Sequence, residues 1–137
     1  MIRKKSGHLR KPAVAAAARR SPCPVACALD ILGDRWTLLV VRDLILGHTR
    51  FRDFIASPEG IPTNILSERL ERLQRSGIIE QVPAQDGTKR LAYGLTGKGK
   101  ALQPLLVALR DWGLEWEKGT RVGISNDEFR SSYGIGK

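Results

Sequence analysis

Cysteine and histidine are both scarce. Two cysteines in 137 residues, Cys23 and Cys27, cannot frame a disulfide-stapled domain. With His8 and His48 they offer no spacing that builds a tetrahedral metal site. Long apolar runs are missing too, so no segment reads as a bilayer span. The start of the chain lacks the leucine-rich apolar region of a secretory signal, although an Arg- and Ala-rich, acid-free start is also the composition of an organellar transit peptide. No Ser-His-Asp set is readable, and no Gly-rich phosphate loop follows a strand. These absences argue against an enzyme, a cofactor, a metal centre and a membrane protein. They leave a cytoplasmic protein with reduced thiols as the expectation.

Positive charge is what the chain has in excess. The formal net charge of +9 points to an anionic partner. Seven of the 23 basic residues (Arg3, Lys4, Lys5, Arg10, Lys11, Arg19, Arg20) fall in residues 1–22, where there is no acid. The remainder holds 16 basic against 14 acidic residues, a balance of only +2. The charge therefore describes a basic arm over residues 1–21, which either tracks phosphates or keeps the chain soluble. Ala13 to Arg20 offers two helical turns at most, marginal on their own. The length and the 42% hydrophobic content suit one domain with a real core, expected over 22–118. Residues 119–137 contain Gly and Ser without periodicity and read as a tail.

From Val25 to Leu46 the chain is densely apolar, but Gly33-Asp34 interrupts it. Gly33 suits a helix C-terminus. The Asp34 carboxylate suits the start of the next helix, where it can accept from backbone N–H groups near Trp36 and Thr37. Two helices follow, about 24–32 and 35–46, with Trp36 as a core anchor. Arg50 to Ala56 is a short amphipathic helix with Phe51, Phe54 and Ile55 on one face and Arg50 and Arg52 pointing away. A turn containing Gly60 leads to a second amphipathic helix, about 62–76, with Pro62 at its first position and Gly77 at its end. Short helix, turn with glycine and second helix make a helix-turn-helix.

In that second helix Ile65, Leu66, Leu70 and Leu73 form the buried stripe, and Asn64, Ser67, Glu68, Glu71, Arg72 and Arg75 lie opposite. Thr63, Asn64 and Ser67 are small polar residues on the first turns. A recognition helix reads base edges from its N-terminal residues, and asparagine pairs bidentately with adenine. A solvated face with ordinary capping residues would look similar. Glu68 and Glu71 favour that second reading unless only the first turns enter the groove and the acids pair with Arg72 and Arg75. Arg69, beside the apolar stripe, suits a clamp on a neighbouring acid. Two strands follow, Ile78–Pro83 and Lys89–Leu95, joined across Asp86-Gly87. Lys89 and Arg90 sit near the hairpin tip, where they join Arg50, Arg52 and Arg72 as candidate contacts to the DNA backbone.

Thr96 suits an N-cap, with helix continuing to about Lys118 and Pro104 near enough the start to be tolerated or to kink it. Ala101, Leu102, Leu105, Leu106, Leu109, Trp112 and Trp116 share one arc, more apolar surface than a small wing can cover. A dimer with Leu105, Leu109, Trp112 and Trp116 in its interface is the economical solution. Cys23 precedes the first long helix, whose dipole favours a thiolate, and Cys27 lies one turn on. They are candidate redox sensors, or small half-buried structural residues. Two other functions fit the same residues: an interaction adaptor on a winged helix, and a non-specific nucleic-acid binder driven by the arm.

The order of the segments resembles the HxlR family of bacterial winged helix-turn-helix regulators, relatives of the MarR type. The likeness rests on Cys23-Pro24, L-D-I-L-G-D-R-W-T-L-L-V-V-R-D-L from Leu29 to Leu44, and R-F-R-D-F from Arg50. It continues with G-I-P-T-N-I-L-S-E-R-L-E-R-L from Gly60, Y-G-L-T-G-K-G from Tyr93 to Gly99, and Trp112-Gly113. It implies a mainly α fold with a small β-hairpin (α+β), a recognition helix at 62–76 and a wing at 78–95. It also implies a homodimeric transcription factor on double-stranded DNA, paired through the N- and C-terminal helices. In some members the cysteine matching Cys23 senses oxidants or electrophiles such as quinones or aldehydes. The likeness names no operator and no small-molecule effector, and it covers neither arm nor tail.

Overall fold

The computed structural model describes residues 19–84, 87–88 and 90–123. Most of the basic arm, the tail beyond 123, and Gln85, Asp86 and Lys89 in the hairpin loop lie outside the described residues. The chain divides into two compact units, Met1–Gly33 and Asp34–Lys137.

The described part of the first unit is one helix and its lead-in. Helix α1 spans Pro24–Leu32, with Cys23 at its N-cap and Pro24 in its first turn, where a missing N–H costs nothing. Ser21 brackets both cysteines: its Oγ accepts from the Cys23 N–H at 3.0 Å, and its carbonyl accepts from Cys27 Sγ at 3.1 Å. Arg20 Nε reaches Asp30 at 2.6 Å. Gly33 ends the helix, its N–H donating to Leu29 O. It keeps a negative φ of −84°, so its use is space, not handedness. A Cβ there would sit 2.4 Å from the Leu29 carbonyl oxygen.

In the second unit, α2 spans Thr37–Ile45, α3 Phe51–Ile55 and α4 Thr63–Arg75. Strands β1 (Ile79–Pro83) and β2 (Leu91–Leu95) form an antiparallel pair running from Ile79↔Leu95 to Pro83↔Leu91. Helices α5 (Gly97–Lys100) and α6 (Gln103–Trp116) are the last elements among the described residues. The fold is mainly helical with a two-stranded hairpin, as expected. Its core gathers Val41, Phe54, Leu66, Leu70 and Leu73 with Ile78, Ile79 and Ala92 of the hairpin. β2 is also held on its other side: the Tyr93 N–H donates to Thr49 O at 2.9 Å, and the Tyr93 ring lies 6.2 Å from that of Phe54. That cross-link matters because two strands alone are marginal.

Four expectations need correction. Pro62 is the extended N-cap of α4, not its first helical residue; its ψ of 146° stands outside the helix, and Thr63 opens it. The helix expected from Thr96 to Lys118 is two helices. Pro104 has no N–H to give Lys100 and would clash in a continuous helix, so the chain breaks after Lys100 and restarts with Pro104 in the first turn of α6. The beginning of the expected tail caps that helix, Thr120 Oγ1 donating to the Glu117 carbonyl at 2.9 Å and the Gly113 carbonyl at 3.3 Å. Trp36, expected in the core, is half-buried, with the Arg35 guanidinium 5.2 Å from its ring.

Gly77 ends α4 with φ +75°. Its N–H donates to Gln74 O, and the Ile78 N–H reaches back to Leu73 O at 2.9 Å. This paired closure needs a left-handed residue, which glycine supplies without cost. It also drops Ile78 onto Leu73, both 2% exposed or less. Gly99 serves a different end, because α5 passes so close to Ile78 that a Cβ would fall 2.3 Å from the Ile78 carbonyl oxygen and 2.8 Å from Leu95 Cδ2. Gly99→Ala should therefore lower the unfolding free energy by about 1–3 kcal/mol. Gly113→Ala, with nothing within 4 Å of the added carbon, should be neutral or raise it by up to about 1 kcal/mol. Urea midpoints of the two variants check the pair.

Candidate nucleic-acid interface

The face that could meet DNA is built by α3, the turn after it and the first turns of α4. Asp53 starts α3 by accepting from the Arg50 N–H at 3.0 Å and the Thr49 N–H at 3.2 Å. Phe54 anchors the helix, 1% exposed. The turn that follows is fixed by Arg42 of α2. Its Nη1 and Nη2 grip both carboxylate oxygens of Glu59 at 2.9 and 2.8 Å, and its Nε and Nη2 also reach buried Asp43 at 3.0 and 2.9 Å. Ser57 Oγ donates to the other Asp43 oxygen at 2.5 Å. Hydrogen bonds to Glu59 hold the Arg42 guanidinium charged well above its ordinary range, against the effect of burial. The same bonds from Arg42 hold the Glu59 carboxyl below its ordinary value. Gly60 then turns with φ +71°, and buried Ile61 pins the entry to α4.

A second carboxylate fixes α4 itself. Asp34 Oδ1 accepts from the N–H groups of Trp36 and Thr37 at 2.8 and 2.9 Å, and Oδ2 from Thr37 Oγ1 at 2.5 Å. These are the N–H contacts expected of Asp34, although the N-cap itself is Trp36 and α2 opens at Thr37, two residues later than expected. The same carboxylate also receives Arg69 Nε at 3.1 Å and Arg72 Nη2 at 3.4 Å from α4. Burial alone would push the Asp34 carboxyl up. The bonds from Thr37, the Trp36 and Thr37 N–H groups and Arg69 outweigh it and hold the group far below the carboxylate range.

The expected contact residues divide by surroundings. Thr63, Asn64 and Ser67 are all exposed on the first turns of α4, while Leu66, Leu70 and Leu73 are buried behind them. Glu68 pairs with Arg69 and lies 3.5 Å from Arg72. Arg72, expected toward DNA, is thus half-buried and held between Asp34 and Glu68. Arg69 is the acid clamp its place beside the stripe suggested. Arg52 and Arg90 are exposed; Arg50 is half-buried at the start of α3; Lys89 lies outside the described residues. Sequence reasoning did not find the Arg42–Glu59 clamp. Its signal was an Arg-Asp pair inside the apolar run of α2, which had to find partners. It also did not find Lys98, whose Nζ donates to the Ser76 carbonyl at the end of α4 at 2.7 Å.

Away from this face, Trp112 and Trp116 on α6 are 59% and 66% exposed, and Leu105 and Leu109 are 39% and 47% exposed, whereas Leu106 is buried. The expected single apolar arc therefore has an inner part and an uncovered part. On α1, Val25 and Leu29 are 66% and 53% exposed, Cys23 is exposed and Cys27 half-buried. Among the described residues no cluster could hold a metal ion, and no helix is long and apolar enough to cross a membrane.

The profile of the HxlR-like helix-turn-helix family matches residues 31–121. The chain belongs to the HxlR-like family. Members of this family are transcriptional regulators that bind DNA through the helix-turn-helix, and this chain is one of them. It is 38% identical to YvaP, an uncharacterised HTH-type transcriptional regulator of Bacillus subtilis (strain 168), over 89 residues, 65% of this chain and 82% of that one. It is 32% identical to the HTH-type transcriptional regulator YodB of the same organism over 91 residues, 66% of this chain and 81% of YodB. Among solved structures, PA1607 superposes with a TM-score of 0.70 at 42% identity, over 81% of this chain and 80% of PA1607. The redox regulator HypR in its reduced form superposes with a TM-score of 0.62 at 26% identity, over 70% of this chain and 95% of HypR. Cys23 and Cys27 precede the residues that the HxlR-like profile matches.

The two depressed carboxyls make stability depend on pH. A carboxyl held low in the folded state contributes fully above its unfolded pKa, about 4, and the contribution disappears as pH falls through the folded value. Unfolding free energy should therefore fall steadily below about pH 4–5. Asp34→Asn should cost about 1–3 kcal/mol at pH 7 and flatten that acid slope. Urea unfolding at pH 7, 4 and 3 checks it, and an unchanged slope in the variant would remove Asp34 from the account.

Proposed function

We propose that this regulator acts as a homodimer on a near-palindromic double-stranded DNA site. Thr63, Asn64 and Ser67 reach base edges, and Arg50, Arg52, Lys89 and Arg90 contact the phosphate backbone. Arg72 joins them if DNA draws it from Asp34. The observation that carries this reading is the division of α4: three small polar residues exposed on its first turns, its leucines buried, and Arg69 and Arg72 engaged with Asp34. The apolar residues left uncovered on α6, Leu105, Leu109, Trp112 and Trp116, supply the dimer interface, as do Val25 and Leu29 on α1. Burying such a side chain stabilises by roughly 1.5–3 kcal/mol. Pairing two copies sets their α4 helices about one DNA turn, roughly 34 Å, apart.

In a gel-shift titration against a site selected from genomic fragments, Asn64→Ala should change which sequences bind. Arg90→Ala should weaken binding on all of them alike and make the salt dependence shallower by about one charge. Trp112→Glu should sediment as a monomer and lose the shift. A wild-type chain that retards selected and scrambled DNA equally would refute the reading.

A thiol response belongs to the same proposal. Cys23 is exposed at the N-cap of α1, open to a reagent in solution. HypR is a redox regulator, and YodB has been crystallised bound to quinone and after diamide treatment. Diamide should shift DNA affinity of the wild type and leave Cys23→Ser unmoved. Equal affinities of both proteins with and without diamide would assign the two cysteines a structural role.

A further inference from the structure

We propose that Asp34 is a specificity-positioning residue: through Arg69 it sets the rotation of α4 about its own axis, and so decides which first-turn side chains face the bases, without touching DNA itself. The inference rests on the DNA-binding reading above.

The contacts of α4 divide into two kinds. Leu66, Leu70 and Leu73 hold it by burial, which is strong but non-directional. A leucine stripe tolerates a small roll of the helix, because each side chain can trade one neighbour for another. The Asp34 carboxylate is directional. It is itself fixed by two backbone N–H groups and the Thr37 hydroxyl at the start of α2, so it cannot follow a moving helix. Arg69 and Arg72 project from adjacent positions on the same side of α4, three residues apart, and both reach it. Arg69 is the firmer of the two. Its side chain is 16% exposed and its Nε bond is 3.1 Å, whereas Arg72 is longer at 3.4 Å and keeps a buried Nε without a partner.

The geometry converts a small roll into a large effect at the other end. With side chains the helix is about 10–12 Å across, so a roll of about 20° carries a side-chain tip about 2 Å. A bidentate asparagine contact survives no such shift, since hydrogen bonds weaken within a few tenths of an ångström of their range. At about 100° per residue Asn64 and Ser67 lie well round the helix from Arg69, so Arg69 can set their direction without competing for the DNA. Phosphate contacts from long, flexible side chains absorb the same roll. A loosened tether therefore costs discrimination before it costs non-specific binding.

The test compares Arg69→Met, Arg69→Lys and Arg75→Met with the full wild-type chain. Arg69→Met cuts the tether but leaves the Asp34 cap of α2 intact. Arg75→Met removes the same charge from an exposed position on the same helix. The first readout is the ratio of affinity for the wild-type-selected DNA site to that for scrambled DNA. Arg69→Met should lower the ratio about tenfold, Arg69→Lys less, and Arg75→Met should lower both affinities while keeping the ratio. The second readout needs no DNA: amide signals of Thr63, Asn64 and Ser67 should shift in Arg69→Met while those of core residues such as Val41 stay in place. An unchanged ratio, or unmoved amide signals at 63–67, overturns the inference. A wild-type chain that selects no sequence, with the amide shifts present, overturns the DNA reading instead and leaves Asp34 as a rotational tether of α4 alone.

Discussion

The second unit depends on a single carboxylate that two helices share. Asp34 receives the first N–H groups at the start of α2 and, from 35 residues later in sequence, Arg69 of α4. Removing a charge from water is costly unless its lone pairs are filled, and here they are filled by backbone, hydroxyl and guanidinium donors together. The group is thus both helix cap and inter-helix clamp. A residue with either duty alone would be replaceable by several others. One with both needs an acceptor of two-oxygen reach, a short side chain and a fixed charge. Aspartate satisfies all three, whereas asparagine keeps the cap but offers one acceptor oxygen and no charge.

The Arg42–Glu59–Asp43–Ser57 set does for the turn what Asp34 does for the helix. Helix α3 is five residues long and cannot be stable by its own hydrogen bonding. It persists because Asp53 fills its first donors, Phe54 is buried, and Arg42 fastens the loop behind it. Polar bonds thus fix orientation on a framework that apolar burial holds together. This division suits a domain that must present a few side chains at defined positions.

Much of this was legible in the sequence, because it is local. Helical periodicity gave the leucine stripe of α4, glycine marked its end, and Asp34 announced the next helix through the ordinary preference for acids at N-caps. The exposed first turn with Thr63, Asn64 and Ser67 followed from the same periodicity. What was not legible is long-range. That Arg69 needs an acid follows from its place beside the stripe, but which acid depends on how α2 crosses α4. Arg42 reaching Glu59 depends on the path of a loop 17 residues on. The partner of Arg72 is long-range in the same way: a helical wheel shows it pointing outward, while the neighbouring helix start lies within its reach. Pro104 was a different failure, since proline in a helical first turn and proline that ends a helix look alike until the preceding turn is seen.

The break before α6 has a consequence for how such proteins diversify. Because Pro104 lets the chain stop and restart, the direction of α6 is not inherited from α5, which Gly99 locks onto Ile78. Residues 101–104 are therefore a joint between a fixed reading head and the helix on which the proposed pairing depends. Substitutions at that joint would re-aim α6 against the rest of the second unit while leaving the first turns of α4 as they are.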